Sequence, residues 1–172
     1  MKLLILDAGH CLNLALAREA SRRADAVDIC LDACQAQDVA LIWCVSDQLY
    51  EDGLDVPIDE HVVPAPRDDS LRRLVQTGDR IRAEFRRHLI VRLGPLFALE
   101  GSHAWLNDII GDLVLGKAVR AAEDVIFCPT SADAVAMALI GMLQQQVSGA
   151  EAWGAYHLAG TEPVSAFTFT SM

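Results

Sequence analysis

"LLILDAGHCLNLALA", residues 3–17, is the stretch whose reading decides the fold: an apolar run ends at Asp7, a turn follows around Gly9, and helical periodicity begins at Cys11. Strand, turn and helix in that order is how nucleotide-binding α/β folds present a phosphate site. A dinucleotide loop needs glycines where the backbone turns tightly, approaches the pyrophosphate and lets the helix pack on the strand. This turn offers Gly9 alone, with Asp7, His10 and Asn13 around it.

Outward from the turn, apolar runs of strand length alternate with helical periodicity. The first half reads as strand 2–7, helices 11–23 and 25–37, strand 39–45, helix 69–87 and strand 88–93. The second half reads as helix 103–115, strand 124–128, helix 131–147 and strand 154–160, with Ser131 as the cap of its helix. That order predicts an α/β fold with helices on a mostly parallel sheet. The runs "LLIL", "VALIWCV" and "LIVRL" are apolar at successive positions, as in strands buried on both faces. Only "RRAD" separates helices 11–23 and 25–37, so a strand is missing where the alternation calls for one. Residues 50–69, "YEDGLDVPIDEHVVPAPRDD", carry three prolines and many acids, a loop of the length that often covers a ligand site.

The 172 residues fit one domain, 1–172. A net charge of −10 disfavours nonspecific binding to nucleic acid or anionic lipid. Eight of the 14 basic residues lie between Arg67 and Arg92, interspersed with Asp68, Asp69, Asp79 and Glu84. They read as a solvated helix face with ion pairs at helical spacing. No apolar run approaches the roughly 18 residues of a membrane span, no signal peptide is read, and a cytoplasmic location is expected. The five cysteines are scattered through apolar stretches, as reduced thiols are. Cys30 and Cys34 stand one helical turn apart, but no nearby His or Cys pair completes a four-ligand set, so no metal is expected.

Five blocks, in order, resemble the extended short-chain dehydrogenase/reductases that act on nucleotide sugars, most of all the dTDP-4-dehydrorhamnose reductases. "VSDQLYEDG" (45–53) is similar to that family's strand-end motif of Ser or Thr, Asp, an aromatic segment and Gly. "DEHVVPAP" (59–66) resembles its acidic, proline-bearing substrate loop, and "LIVRLGPLF" (89–97) its arginine-bearing strand. "CPTSADAVAMAL" (128–139) resembles the Pro-Thr segment that leads into a helix, and "GAYHLAG" (154–160) the final Tyr-His strand. The resemblance implies a Rossmann-like three-layer sandwich lacking part of its cofactor-binding half, with elements of a substrate domain near 97–130 and 154–172.

The family's carbonyl chemistry, as the resemblance implies it, uses a tyrosine acid, a lysine four residues later and a hydroxyl residue on the substrate oxygen. A phenol of pKa about 10 exchanges protons efficiently near neutrality only when an adjacent cation tunes it. Ser46 stands at the hydroxyl position. Counting back from Glu84, which matches a family glutamate, puts Arg80 at the lysine and Gln76 at the tyrosine. A glutamine amide has no proton to give near neutral pH, and Arg80 offers a planar fork rather than a compact ammonium. Residues 61–100 contain no tyrosine that a shifted alignment would bring in. The opening turn has Asp7, His10 and Asn13 where the family has Gly-x-x-Gly-x-x-Gly, and a carboxylate repels pyrophosphate at a helix N-terminus. It reads as a remnant that holds neither NAD nor NADP.

The expectation is therefore a non-catalytic relative that binds a nucleotide sugar, through Ser46, Asp47, Arg92 and Thr130, or a protein partner. The alternative is an active NAD(P)-dependent nucleotide-sugar reductase or epimerase with a rearranged site and Tyr50 as a new acid. Tyr50 otherwise packs under the long loop, His10 is a cap or surface group, and Tyr156 and His157 are structural. A homodimer is expected through helices 25–37 and 69–87, or through strand 2–7 as an exposed sheet edge.

Overall fold

The computed structural model describes residues 3–8, 31, 35–36, 40–50, 57–98 and 105–171. In chain order these form β1 (Leu3–Ala8), β2 (Ala40–Ser46), a 3-10 turn (Asp47–Leu49), α1 (Asp69–Glu84), β3 (His88–Leu93) and β4 (Leu96–Phe97). There follow α2 (Trp105–Val114), β5 (Ile126–Phe127), β6 (Thr130–Ser131), α3 (Ala132–Val147), β7 (Gly154–Leu158), β8 (Val164–Ser165) and α4 (Ala166–Ser171). Gly9, His10, Asn13 and helices 11–23 and 25–37 lie outside the described residues, except Leu31, Gln35 and Ala36, which are helical.

The main sheet is parallel, in the order β1-β2-β3-β7. Each described strand is laid on the same side of its predecessor. Among the described strands the order therefore never reverses, and β1 stands at one end of it. A reversal of strand order is where a doubly wound sheet opens the crevice for a dinucleotide. Two small pairings flank the main sheet, β4 with β6 and β5 with β8. Phe169 of α4 packs its ring 5.9 Å from Phe97 and 5.8 Å from Phe127, tying both flanks together.

The unbroken apolar strands follow from a sheet covered on both sides. Leu41, Trp43, Val45 and Ile90 face α1, where Ile81, Phe85 and Leu31 complete one core. Ile42, Cys44, Leu89, Val91 and Leu93 face the other way, against Val135 and Leu139 of α3. Asp68 starts α1 by accepting the backbone N–H groups of Ser70 (2.8 Å) and Leu71 (3.2 Å). The helix ends at Glu84, three residues earlier than its periodicity predicts, because Phe85 turns into the core while its N–H closes the last turn on Ile81. Ser131 caps α3 as read, accepting from the N–H of Ala134 at 3.5 Å. The last predicted strand is likewise shorter, ending at Leu158.

Among the described residues no helix is long and apolar enough to cross a membrane, and no cluster of potential metal ligands is found. Cys44 is buried and Cys128 is half-buried.

Candidate functional site

Because β2, β3 and β7 run parallel, their C-terminal ends open at one rim of the sheet, where ligands of open α/β sheets bind. Three segments meet there. Thr130 ties them together: its N–H donates to the carbonyl of Pro95 (3.0 Å) and its hydroxyl donates to that of Cys128 (3.0 Å). The same hydroxyl accepts the N–H of Gly160 at 2.8 Å. At Gly160 a Cβ would fall 2.2 Å from the carbonyl oxygen of Pro129, so only glycine permits this approach. Gly94 occupies the floor, where a Cβ would stand 3.6 Å from both Asp47 Oδ2 and Thr130 Oγ1.

Ser46, the last residue of β2, accepts the N–H of Gln48 at 3.2 Å and so caps the 3-10 turn. Its hydroxyl lies 3.4 Å from Asp47 Oδ1. Ser46, Asp47 and Thr130 are thus gathered around Gly94, with the Asp47 side chain exposed.

Arg92, the fourth expected contact, is not among them. It alternates with Leu93 and lies on the α1 side, in the row of Ile90. There it is 4% exposed and stands opposite His157 in the β3–β7 register. Tyr50, 8% exposed, reaches the same spot from the end of the 3-10 turn. Arg92 Nη1 donates to the Tyr50 hydroxyl and lies 3.0 Å from His157 Nε2. The guanidinium carbon lies 5.4 Å from the Tyr50 ring centroid, a cation–π contact.

Since a guanidinium only donates, this pattern assigns Nε2 as the acceptor and puts the imidazole proton on Nδ1. Nδ1 donates to the carbonyl of Ile58 at 3.1 Å. The Tyr50 hydroxyl lies 3.0 Å from the same Nε2. Glu60 completes the strap by accepting the His157 backbone N–H at 2.9 Å. Tyr50 is thus linked through His157 to Ile58 and Glu60. Burial pushes its phenol above the ordinary 10.0, against the opposing pull of Arg92, and so away from the neutrality that proton exchange requires.

Gln76 and Arg80 lie on α1. Gln76 is exposed; Arg80 is half-buried, its Nε 3.1 Å from both carboxylate oxygens of Glu84. The reading of single residues missed the meeting of Tyr50, Arg92 and His157. The signal was the arginine inside "LIVRL", because a cation in a strand buried on both faces requires polar partners.

The family model described as RmlD substrate binding domain matches residues 15–172. No curated protein matches the sequence. Among solved structures, a dTDP-4-dehydrorhamnose reductase from Clostridium acetobutylicum is similar at 14% identity, TM-score 0.77, over 98% of this chain and 59% of its own. The Yersinia enterocolitica dTDP-4-dehydrorhamnose reductase is similar at 20% identity, TM-score 0.72, over 98% and 60%. The Bacillus anthracis enzyme of the same name, in complex with NADP, is similar at 20% identity, TM-score 0.70, over 98% and 59%. At these identities the likeness is one of fold, and this chain spans about 60% of the length of those reductases. With the family model matched over nearly the whole sequence and the Rossmann-like fold shared, the protein belongs to the RmlD substrate binding domain family.

Proposed function

We propose that this chain is a non-catalytic member of its family that binds a nucleotide sugar at the strand-end rim. The observation that carries the reading is the state of its phenols and cations. The chain has two tyrosines. Tyr50 is buried against Arg92 and His157, and Tyr156 donates its hydroxyl to the carbonyl of Ala152 at 2.8 Å. Gln76 stands exposed where the family resemblance calls for the acid, and Arg80, at the lysine position, is paired with Glu84. Neither lysine of the chain, Lys2 or Lys117, lies on α1. This reading includes no resident NAD or NADP, because the opening turn carries Asp7, His10 and Asn13 where the family resemblance calls for glycines. The rim offers acceptors and donors suited to sugar hydroxyls: the exposed Asp47 carboxylate, the Ser46 hydroxyl and the remaining lone pair of Thr130.

The second reading, an active NAD(P)-dependent reductase or epimerase, draws on the Bacillus anthracis relative solved with NADP. Thermal unfolding with NAD, NADP and a panel of nucleotide sugars separates the two, because a ligand that binds only the native state raises Tm by mass action. The non-catalytic reading expects a concentration-dependent rise with a nucleotide sugar, none with either cofactor, and no oxidation of NADPH. A rise with NADP accompanied by NADPH oxidation would overturn it. If no small molecule shifts Tm, the partner is a protein, to be sought by pull-down.

A further inference from the structure

We propose that His157 is a positioning residue whose one side chain anchors both the turn Asp47–Tyr50 and the acidic loop segment 57–62 to β7, so that the rim's carboxylate and that loop are held at a common point. The proposal rests on the sugar-binding reading only where it concerns ligand affinity. His157 stands opposite Arg92 in the β3–β7 register, at the end of the sheet order among the described strands. The next residue, Leu158, accepts the N–H of Gly94 at the rim floor (3.4 Å), and Gly160 donates to Thr130 Oγ1 at 2.8 Å. A group fixed to His157 is therefore fixed relative to the rim.

The two ring nitrogens serve two different segments. Nε2 takes the Tyr50 hydroxyl at 3.0 Å, and Tyr50 closes the 3-10 turn by donating its own N–H to the carbonyl of Asp47 at 3.1 Å. Nδ1 takes the carbonyl of Ile58 at 3.1 Å, and the His157 backbone N–H takes the Glu60 carboxylate at 2.9 Å. Asp59, between those two, organises the following turn: its carboxylate accepts the N–H of His61 (2.9 Å) and its carbonyl that of Val62 (3.3 Å). A rigid ring with an acceptor at one nitrogen and a donor at the other fixes the spacing of the segments it joins. Residues 59–63 are exposed and Ile58 is half-buried, so burial gives this loop little hold and its polar ties to His157 carry more of it. The turn has a second hold in Leu49, which is 2% exposed.

Amide hydrogen exchange of the full chain, read without ligand, tests the anchor. In His157→Leu the amides of His61 and Val62 should exchange about tenfold faster and that of Tyr50 about fivefold faster, while Leu139 in α3 keeps its rate. Two further variants divide the anchor and keep the test sound if the leucine prevents folding. An asparagine amide reaches the place of Nδ1 and a glutamine amide that of Nε2, so His157→Asn should free Tyr50 and spare the loop, and His157→Gln should do the reverse. Unchanged exchange at either segment in His157→Leu overturns the proposal, as does an equal acceleration that includes Leu139, or identical behaviour of the Asn and Gln variants. Titration with dTDP-glucose then separates the anchor from the sugar-binding reading. If the wild-type chain binds it, His157→Leu should bind it several-fold more weakly, because a site held in place binds more tightly than one that must be ordered; equal affinity overturns the link from anchor to rim. If dTDP-glucose leaves the Tm of the wild-type chain unchanged, the sugar-binding reading fails for this ligand while exchange still decides the anchor.

Discussion

Two helices of sixteen residues lie on opposite faces of one sheet, and they meet solvent in opposite ways. α1 shows water a charged face whose cations are engaged locally: Arg72 with Asp69, Arg82 with Asp79 and Arg80 with Glu84. α3 carries one charged residue, Asp133, and exposes Met137 by 73% and Ile140 by 56%. A helix that buries one stripe and solvates the rest is finished by its own domain, whereas one that is apolar all round has the composition of an interior element. The arginine cluster that drew notice in the sequence is therefore an ordinary solvated face. The unremarkable run "AVAMALIGML" is the unusual one.

The largest test of that contrast is truncation of each helix's anchor. Ile81→Ala on α1 removes a fully buried side chain from between Trp43 and Phe85 and should cost about 3–4 kcal/mol. Leu139→Ala on α3 leaves a site that is 8% exposed and better able to relax, and should cost about 2 kcal/mol. Urea unfolding with unchanged m-values would measure both. Equal costs would mean that the two faces are packed alike.

Next come the glycines, where opposite signs are expected. Gly78→Ala puts a Cβ 3.0 Å from the buried Trp43 ring, so overpacking outweighs the gain in helix propensity, for a net loss of about 1 kcal/mol. At Gly141 a Cβ meets nothing within 4 Å. Gly141→Ala should therefore stabilise the protein by about 0.5–1 kcal/mol. Thermal melts of the pair decide it. A stabilising Gly78→Ala would mean that Trp43 can yield.

A smaller difference is expected at the caps. Asp68 accepts two backbone N–H groups at 2.8 and 3.2 Å, and Ser131 accepts one at 3.5 Å. Asp68→Ala should lower Tm more than Ser131→Ala does. The reverse order would show that α3 depends on its cap because its outer face contributes nothing.

The same contrast explains what could be read in advance. Continuous apolar runs marked β1, β2 and β3, because strands covered on both faces lose the alternation of half-buried ones. The end of α1 was hidden, because Phe85 stands four residues after Ile81 and so prolongs the helical pattern although it lies outside the helix. β4 and β6 were illegible, since two-residue strands have no period and their pairing joins residues distant in sequence. At the rim, the order of blocks suggested that Ser46, Asp47 and Thr130 belong together. Arg92 was assigned there too, because the sequence gives its strand but not its face; parity against Ile90 and Leu93 decides that, and it sends the guanidinium to the α1 side.

The smallest expected effect isolates the strap on the α1 side. The carboxyl of Glu60 is held below its ordinary 4.5, first by the His157 backbone N–H and then by its own. A carboxyl whose folded pKa is depressed contributes stability that is fully present above its unfolded pKa. That contribution is lost as pH falls through the lower folded value. Glu60 is exposed, so solvent screens the effect. Glu60→Gln should accordingly leave a slight, constant deficit at neutral pH that closes below about pH 4.5, as both proteins come to present an uncharged acceptor to His157. Leu139→Ala, which titrates nothing, should lower the whole stability curve without changing its acid slope. If Glu60→Gln lowers the curve in that same uniform way, the Glu60 side chain acts by packing, and the strap owes nothing to its charge.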